Sequence, residues 1–252
     1  MPKTAASPPD REPGADQVAE AAGPERLRVV TWNCHGSVGR DWRCDPERTL
    51  SVIERLQPDL LALQEVDGRS HLGRRARAFE FFAERLGGHV AEARTLRRPD
   101  RDYGHLLWSR RPIRPVAVHA LPGPGIEPRA AIEIVIDRTD GGVLNVLSAH
   151  LGLSQKGRQR QSMQIAGLVA AWAGPGLVLG DFNEWRLGTV HRVLSSRLPH
   201  HAAPRSWPSL MPLARMDRIY LSSGLLPKRA FLDEEAAKAS DHLPLVADLM
   251  LR

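Results

Sequence analysis

The stretch GLVLGDFN (residues 176–183) places a carboxylate, an aromatic ring and an amide directly after an apolar run. The apolar run predicts a buried strand, and a buried charge is costly unless it is paired or binds a metal. Asp and Asn are also common turn residues, so a strand that simply runs into a turn is the plainer interpretation. The stretch alone leaves both interpretations open, and the rest of the chain discriminates between them.

Charge divides the chain into two parts. Residues 1–26 carry three basic and five acidic side chains, are rich in Pro, Ala and Gly, and show no apolar periodicity. Such a composition is typical of a disordered tail. Residues 27–252 carry 32 basic and 24 acidic side chains, a net charge of +8, with no second linker or repeat. We therefore predict one domain over residues 27–252. Its charge favours polyanionic partners such as nucleic acid or an anionic lipid surface, although a bias towards arginine codons would give the same composition.

The two cysteines, Cys34 and Cys44, are too few for a disulfide scaffold. Their spacing from His35 also does not fit a zinc site. The first residues lack the apolar core of a signal peptide, and no apolar run approaches the length of a membrane span. We therefore expect reduced thiols in a cytoplasmic monomer without stable membrane insertion.

Apolar periodicity predicts strands that are interrupted irregularly by helices. LRVVTWN (27–33) and DLLALQEV (59–66) are predicted strands. In the second strand, a period of two would place Leu61, Leu63 and Glu65 on one side. Further predicted strands lie in YGHLLWS, VAVHAL, AAIEIVID, VLNVLSAH, GLVLGDFN, RMDRIYLS and PLVADLML.

Helices and hairpins together limit the fold class. One helix is predicted to begin after an Asp45 N-cap with Pro46 in its first turn, and two more span residues 76–87 and 157–173. The Asp140-Gly141-Gly142 turn predicts a hairpin. Hairpins mixed with helical crossovers exclude a regular TIM barrel or a doubly wound sheet, which leaves an α/β fold with layered mixed sheets.

Six apolar segments present Asn, Asp, Glu or His near an end or an interruption. These residues are Asn33, Glu65, His150, Asp181 with Asn183, Asp217, and Asp241 with His242. Each one alone can be a helix cap, a turn residue or a satisfied core histidine. Six such coincidences are improbable, so we interpret the set as one site.

These residue types suit the hydrolysis of a phosphate ester. A hard cation such as Mg²⁺ prefers oxygen ligands, and one or two carboxylates are enough to hold it. A second carboxylate can orient or deprotonate the attacking water. An imidazolium held by a carboxylate can stabilise the charge that grows on the phosphoryl oxygens. The sequence therefore predicts a phosphohydrolase that uses Mg²⁺ or Mn²⁺.

In chain order, TWN, LQEV, YG…SR, SAHL, R..Q, GDFN, MDRIY and SDH resemble the motifs of the endonuclease/exonuclease/phosphatase superfamily of metal-dependent phosphohydrolases. The resemblance extends from about Leu27 to the C-terminus, and GDFNEW is most similar to small bacterial members. It implies a four-layer α/β sandwich, in which two mixed β-sheets pack face to face with helices outside.

The resemblance also implies roles, position by position. Glu65 would be the principal metal ligand with Asn33 beside it, and Asp241 would be a further ligand or would contact the ligands. Asp181 would orient or activate the nucleophilic water, and Asn183 would bind the phosphoryl group.

A second group would contact the substrate phosphate. His242 would bind a non-bridging oxygen and would be kept charged by Asp217. His150 occupies a position where relatives place His or Tyr against the phosphate. Tyr103 lies in the YG segment near the cleft, and Arg129 would either reach a substrate phosphate or cap a strand.

Three further residues match or depart from the family pattern. Arg158 and Gln161 match the R..Q pattern, and we interpret them as structural bracing. His105 stands where relatives usually carry Asn, so its role is an open question.

The substrate is less constrained. Apurinic-site endonucleases usually carry Lys or Arg soon after QE, where this chain has Val66-Asp67-Gly68. Inositol-polyphosphate phosphatases usually have a polar, Arg-bearing sequence after GD.N, where this chain has Glu184-Trp185.

Several substrate classes stay open. A nuclease acting on DNA or RNA ranks first, because the domain is basic and contains two clusters of arginines. These are Arg97, Arg98 and Arg101, and Arg110, Arg111 and Arg114. A sphingomyelinase-like phospholipid head-group phosphodiesterase would need a membrane-facing apolar hairpin, and the sequence predicts none. A phosphatase for a small phosphate ester and a catalytically inactive binding protein are further alternatives.

Overall fold

Twelve strands and four α-helices are formed by the residues that the computed structural model describes, which are 25–98, 101–124 and 127–251. The predicted tail lies outside this range except for its last two residues. Of these, Arg26 is the first residue of the first strand, and the Glu25 carbonyl accepts a hydrogen bond from Leu251 N at 3.0 Å.

The strands are β1 Arg26–Asn33, β2 Leu60–Asp67, β3 His89–Leu96, β4 Tyr103–Ser109, β5 Ile113–Leu121, β6 Arg129–Asp137, β7 Val143–His150, β8 Gly176–Asp181, β9 His200–Ala202, β10 Asp217–Leu221, β11 Leu225–Leu232 and β12 Leu245–Leu251. They form two six-stranded sheets in the order β11-β12-β1-β2-β4-β3 and β5-β6-β7-β8-β10-β9. Both sheets are mixed, since β1 and β2 are parallel, as are β7 and β8, while the other neighbours are antiparallel.

The helices are α1 Pro46–Leu56, α2 Ala78–Leu86, α3 Gln155–Ala170 and α4 Thr189–Ser195. Three apolar clusters show how the layers stack. One cluster joins the facing sides of the two sheets, with Val29 and Leu60 from the first sheet and Ile134 and Leu179 from the second. The other two pack α1 and α2 on the outer face of the first sheet, and α3 and α4 on the outer face of the second. The predicted four-layer α/β sandwich is confirmed.

Local sequence accounts for much of this arrangement. The Asp45 carboxylate caps α1 by accepting the Arg48 backbone N–H at 3.0 Å, and Pro46 opens the helix as predicted. The hairpin at Asp140-Gly141-Gly142 joins β6 to β7, and Gly141 supplies the positive φ of 82° that the turn needs.

One predicted face is wrong. Leu61 and Leu63 point to the helices, but Glu65 is the extra residue of a β-bulge, since the register with β4 shifts between Gln64 and Val66. Glu65 has a φ of +57°, which breaks the period of two and turns its side chain towards the end of the sheet.

Three strands and one helix were not predicted. β3 and β11 are partly exposed edge strands with charged residues, and β11 also contains Pro227. β9 has three residues and α4 has seven, too few for a clear apolar period. Of the described helices, none is long and apolar enough to cross a lipid bilayer.

Candidate active site

Neighbouring strand ends bring the predicted residues together. In the second sheet, Asp181 at the end of β8 pairs with His150 at the end of β7 and with Asp217 at the start of β10. In the first sheet, Asn33 ends β1 beside Gln64 of β2. The two sheet ends meet, because the Asn33 amide donates to the Asp181 carboxylate at 3.0 Å.

Asn33 also binds Glu65. Its Nδ2 donates to Glu65 Oε1 at 2.8 Å, and its Oδ1 accepts the backbone N–H of His35 at 3.0 Å. Burial raises the pKa of the Glu65 carboxyl, and the Asn33 hydrogen bond and His242 partly oppose this rise. A left-handed backbone on a non-glycine residue costs roughly 1–3 kcal/mol, so the surrounding structure holds Glu65 in a strained position.

The stretch GLVLGDFN (176–183) divides its side chains between core and site. The Phe182 ring is fully buried in the helix-covered core and packs edge-on against Tyr220. Asp181 Oδ1 accepts the Asn183 backbone N–H at 2.8 Å, while Asn183 Nδ2 donates to the Leu151 carbonyl at 2.9 Å. The Asn183 φ of +49° is left-handed, a conformation that Asn tolerates better than most residues.

The glycine ahead of Asp181 is required by a close approach of β7. A Cβ on Gly180 would lie 1.8 Å from the Ala149 carbonyl oxygen, and the Gly180 φ is +147°. No side chain fits there, so Gly180 sets how closely β7 and β8 approach beside Asp181.

His242 lies between two carboxylates. Its Nδ1 is 2.8 Å from Asp217 Oδ2, and its Nε2 is 4.0 Å from Asp181 Oδ2. Burial alone would lower the pKa of His242, but Asp217, with Asp181 and Asp241, raises it to about 10. The imidazole is therefore a buried cation. Ser206 Oγ donates a second hydrogen bond to Asp217 Oδ2.

His150 is a neutral histidine beside an arginine. Burial, Arg129, His105 and His242 lower its pKa well below the usual value. Arg129 Nη1 lies 3.0 Å from His150 Nδ1, and His150 Nε2 lies 3.6 Å from Asp181 Oδ2. Arg129 also forms a salt bridge with Glu127 at 2.8 Å.

Tyr103 borders the same region. It is buried, and its ring lies under the Arg69 guanidinium with 4.5 Å between the guanidinium carbon and the ring centroid. Burial, together with Glu65 and Glu127, raises the pKa of its hydroxyl, which therefore stays protonated.

Asp241 lies at the outer side of the site. Its Oδ2 accepts the indole N–H of Trp207 at 3.0 Å, and its Oδ1 lies 3.7 Å from His35 Nδ1. Ser240 Oγ donates to the Asn33 carbonyl at 2.8 Å, which joins the Asp241 loop to the end of β1.

Glu65 offers a carboxylate that fits a hard divalent cation, while the Asn33 amide turns its N–H side to Glu65 and Asp181 and its oxygen to His35 N. Among the described residues, Asp181, Asp217 and His242 also have ligand atoms within 4.8 Å of one another. His242 is a poor ligand, however, because its pKa is raised and its Nδ1 binds Asp217. Glu65 instead combines a half-buried carboxylate with a raised pKa, and a cation beside it would stabilise the ionised form.

The sequence did not reveal the supports of the site. Arg218 is fully buried and binds Glu184 Oε2 at 2.9 Å and the carbonyls of Glu184, Arg186 and Arg215. The Glu184 carboxylate also accepts backbone N–H groups at the start of α4, including Val190 N at 3.0 Å. This pair fixes the loop after GDFN, and no spacing rule connects its two members.

Arg158 and Gln161 brace a loop at the other side. Gln161 accepts the Gly152 N–H at 2.9 Å and donates to the Leu121 carbonyl at 3.1 Å, while Arg158 donates to the Leu153 carbonyl. These contacts agree with a bracing role.

The two arginine clusters lie at opposite ends of the sheets. Arg97, Arg98 and Arg101 are exposed and lie between β3 and β4, at the strand ends near Tyr103. The second cluster lies at the far end, and its members are paired with acids: Arg110 with Asp59, Arg111 with Glu25 and Arg114 with Asp137.

Comparisons with known proteins agree with this architecture. The sequence profile of the Endonuclease/Exonuclease/phosphatase family matches residues 30–242. The chain is 27% identical over 253 residues to the uncharacterized protein YbhP of Escherichia coli strain K12, and the alignment covers 89% of this chain and 96% of YbhP.

Solved structures share the fold. The endonuclease/exonuclease/phosphatase from Beutenbergia cavernae DSM 12333 superposes with a TM-score of 0.74 at 22% identity, over 90% of this chain and 72% of that one. TDP2 of D. rerio, complexed with a single strand DNA product, has a TM-score of 0.64 at 17% identity, over 89% of this chain and 98% of that one.

Proposed function

The chain belongs to the endonuclease/exonuclease/phosphatase family, and we propose that it hydrolyses phosphodiesters with the help of a divalent metal ion. The observation that carries this proposal is the position of His242. A buried, charged imidazole faces a carboxylate, Asp181, that is itself fixed by the Asn33 amide and the Asn183 backbone.

Asp181 is the proposed base. Water held against its Oδ2 would lose a proton to the carboxylate as its oxygen forms a bond to phosphorus. The bond between phosphorus and the leaving oxygen breaks in the same displacement, and the leaving oxygen takes up a proton from solvent, which yields a phosphomonoester and an alcohol. The Asn33 and Asn183 hydrogen bonds hold the carboxylate in one orientation, so little reorganisation is needed during the reaction.

His242 is the proposed group that stabilises negative charge. Its Nε2–H faces the space beside Asp181, and Asp217 keeps the ring charged and fixes its orientation. A preorganised cation in a buried site is worth more than one in water, because the low dielectric strengthens its interaction with phosphoryl oxygens. His150, supported by Arg129, would contribute a neutral hydrogen-bond donor on the same side.

Glu65 would hold the metal, with Asp241 as a further ligand or as a contact of the ligands, and the Asn33 amide would position the Glu65 carboxylate. A bound Mg²⁺ or Mn²⁺ would act as a Lewis acid on the phosphoryl oxygens. Asn33 would link the two functions, since its amide binds both Glu65 and Asp181. We further propose a monomer that acts in the cytoplasm.

Nucleic acid, the first candidate from the sequence, keeps only part of its support. The arginines of the second cluster are engaged with acids at the end remote from Asp181, so of the two clusters it is the exposed Arg97, Arg98 and Arg101 that lie where they could meet a backbone near the site. The DNA product in the D. rerio TDP2 complex agrees with a nuclease, although that likeness concerns the fold alone.

A phospholipid head group is the second candidate. No membrane-facing apolar hairpin was predicted from the sequence, and an exposed apolar loop next to the site bears on that prediction. Residues 207–214 form a hairpin-like loop, closed by the isolated bridge of Trp207 with Ala214, and its tip exposes Leu210, Met211 and Leu213. We favour this candidate because the loop lies beside the site, where the Trp207 indole donates to the Asp241 carboxylate.

Hydrolysis of bis(4-nitrophenyl) phosphate tests the proposed chemistry without assuming either substrate. We expect turnover with Mg²⁺ or Mn²⁺, loss of turnover in EDTA, and recovery when the metal is restored. Full turnover in the chelator would contradict the mechanism. The same assay with a phosphomonoester distinguishes a diesterase from a phosphatase.

A further inference from the structure

An apolar rim projects beside the proposed active site. It consists of Trp185, Leu187, Leu210, Met211 and Leu213, which are 60%, 40%, 61%, 65% and 55% exposed. Exposed apolar side chains that cluster, rather than occurring singly, mark a surface that binds a partner or a membrane. These five come from two loops, the one that follows GDFN and the one that precedes β10.

The two loops hold each other in place. Trp207 and Ala214 form a bridge, with Ala214 N donating to the Trp207 carbonyl at 2.8 Å. Arg215 N donates to the Trp185 carbonyl at 3.0 Å, and the rings of Trp185 and Trp207 lie 5.6 Å apart. These contacts therefore fix the positions of the two loops that carry the rim.

The rim is also joined to the site. The Trp207 indole donates to the Asp241 carboxylate at 3.0 Å, and Ser209 N donates to the Asp241 carbonyl at 2.7 Å. Trp185 follows Asn183 by two residues. A surface that met this rim would therefore lie next to the mouth of the catalytic site.

The chain segment that carries the rim is basic. Residues 185–216 contain no Asp or Glu, and their five arginines are Arg186, Arg192, Arg197, Arg205 and Arg215. Arg186, between Trp185 and Leu187, and Arg205, ahead of the second rim segment, are exposed. The Asp241 carboxylate, which accepts the Trp207 indole N–H, faces the site. Apolar side chains in a segment whose charged residues are all arginines are suited to a surface with negative headgroups above hydrocarbon.

The chemistry of the tip separates this surface from a nucleic-acid platform. Single-stranded nucleic acid is bound by aromatic rings on which bases stack. The tip instead offers the aliphatic side chains of Leu210, Met211 and Leu213, which gain from burial in hydrocarbon and cannot stack. Trp185, on the neighbouring loop with its ring 5.6 Å from that of Trp207, suits the interface between headgroups and hydrocarbon.

We propose that the apolar rim docks on the surface of an anionic phospholipid bilayer and presents lipid phosphodiesters to the site beside it. The substrate part rests on the proposed function, while docking itself does not require catalysis. Binding would be peripheral, with a few side chains entering the headgroup region and arginines contacting lipid phosphates.

Vesicle flotation tests the proposal on the full chain. The vesicles are phosphatidylcholine alone, or phosphatidylcholine and phosphatidylglycerol in equal parts. We expect binding to the anionic vesicles, weaker binding to the neutral ones, and a roughly tenfold or greater loss for the double variant L210S/M211S. The matched control is V116S/V118S, which changes two similarly exposed apolar residues of β5 and should bind like the wild type.

The outcomes are separable. Equal hydrolysis of bis(4-nitrophenyl) phosphate by both variants and the wild type shows that folding and the site are intact. Failure of the wild type to float with anionic vesicles overturns the proposal, as does equal binding by L210S/M211S. Duplex DNA binding that depends on Leu210 and Met211, without vesicle binding, would assign the rim to nucleic acid. Vesicle binding without diester hydrolysis would defeat the proposed function and leave the docking surface standing.

Discussion

Asp181 and Asp217 are direct partners across β8 and β10, yet their carboxylates face different groups. Asp217 Oδ2 binds the imidazole of His242, whereas Asp181 binds the amide of Asn33 and the backbone of Asn183. The two acids are adjacent in the sheet but differ in role. Asp217 keeps His242 protonated, whereas Asp181 is available to accept a proton from water.

Replacing Asp181 with Asn should lower kcat by about 10²-fold or more, because the amide cannot take the proton of the attacking water. The change is nearly isosteric, so the melting temperature should change little. Asp137→Asn, at an exposed carboxylate, is the matched control and should keep full activity. Wild-type kcat in Asp181→Asn would show that another residue is the base, with Asp241 the next candidate.

Asp217→Asn should lower kcat by roughly 10- to 100-fold with little change in KM, because His242 loses the group that orients it and keeps it charged. Proton NMR offers an independent measurement, since the downfield Nδ1–H signal of His242 should disappear. Ser206→Ala removes the two hydrogen bonds between Ser206 Oγ and Asp217 but leaves the Asp217–His242 contact in place, so it should lower kcat less. An unchanged NMR signal and kcat in Asp217→Asn would refute this role.

His105 should make the fold sensitive to acid. Burial lowers the pKa of His105 to about 4, below its ordinary value of 6.5, and the Nε2 atom finds no hydrogen-bond partner among the described residues. As the pH falls from 6.5 towards 4, the unfolded chain binds a proton that the folded chain does not, so stability is lost.

The residue that relatives usually carry at this position supplies the test. His105→Asn should remove roughly 2 kcal/mol of the stability difference between pH 7 and pH 4.5. Urea unfolding of the wild type and the variant at pH 7 and at pH 4.5 measures this difference in stability. Parallel pH dependences in the wild type and the variant would rule out His105 as the source.

The buried pair of Arg218 and Glu184 should be costly to break. Arg218→Ala leaves the Glu184 carboxylate without its cation and frees three backbone carbonyls, so the free energy of unfolding should fall by about 3–5 kcal/mol. The control is Arg114→Ala, whose ion pair with Asp137 is largely exposed and should be worth less than about 1 kcal/mol. Urea unfolding measures both variants. Similar decreases in the free energy of unfolding would contradict the difference expected between the buried and the exposed ion pair.

Gly180→Ala should destabilise the fold by more than about 2 kcal/mol, because the new methyl group would collide with the Ala149 carbonyl. Gly167→Ala in α3, where nothing lies within 4 Å of the added atom, should instead stabilise by up to about 1 kcal/mol. Thermal melts of both variants measure the contrast. A neutral Gly180→Ala would mean that β7 and β8 can separate without cost.

Sequence patterns predicted the central strands, because these are apolar runs that end in polar residues, as GLVLGDFN does. They also singled out the residues that meet at the sheet ends, although the resemblance was needed to choose two facing sheets. They missed β3 and β11 because exposed edge strands lack a continuous apolar signal. The orientation of Glu65 was wrong because a bulge breaks the period of two, and a bulge leaves no local signature in LQEV.

The remaining features could not be predicted from the sequence because they depend on tertiary contacts. The pairing of Glu184 with Arg218 joins residues 34 positions apart, and the exposure of Leu210 and Met211 depends on how the loop is tied to Trp207 and Asp241. In the sequence the segment LMPL reads as an ordinary apolar stretch, which is why no apolar hairpin was predicted.

The left-handed backbone of Glu65 has a consequence for laboratory evolution of this protein. A glycine adopts that conformation without strain, so Glu65→Gly would relieve it while discarding the carboxylate. A library screened for heat resistance alone would therefore enrich this change and lose turnover, whereas a screen that also demands catalysis would reject it. At position 65, selection for thermal stability would therefore favour glycine, whereas selection for catalytic activity would favour glutamate.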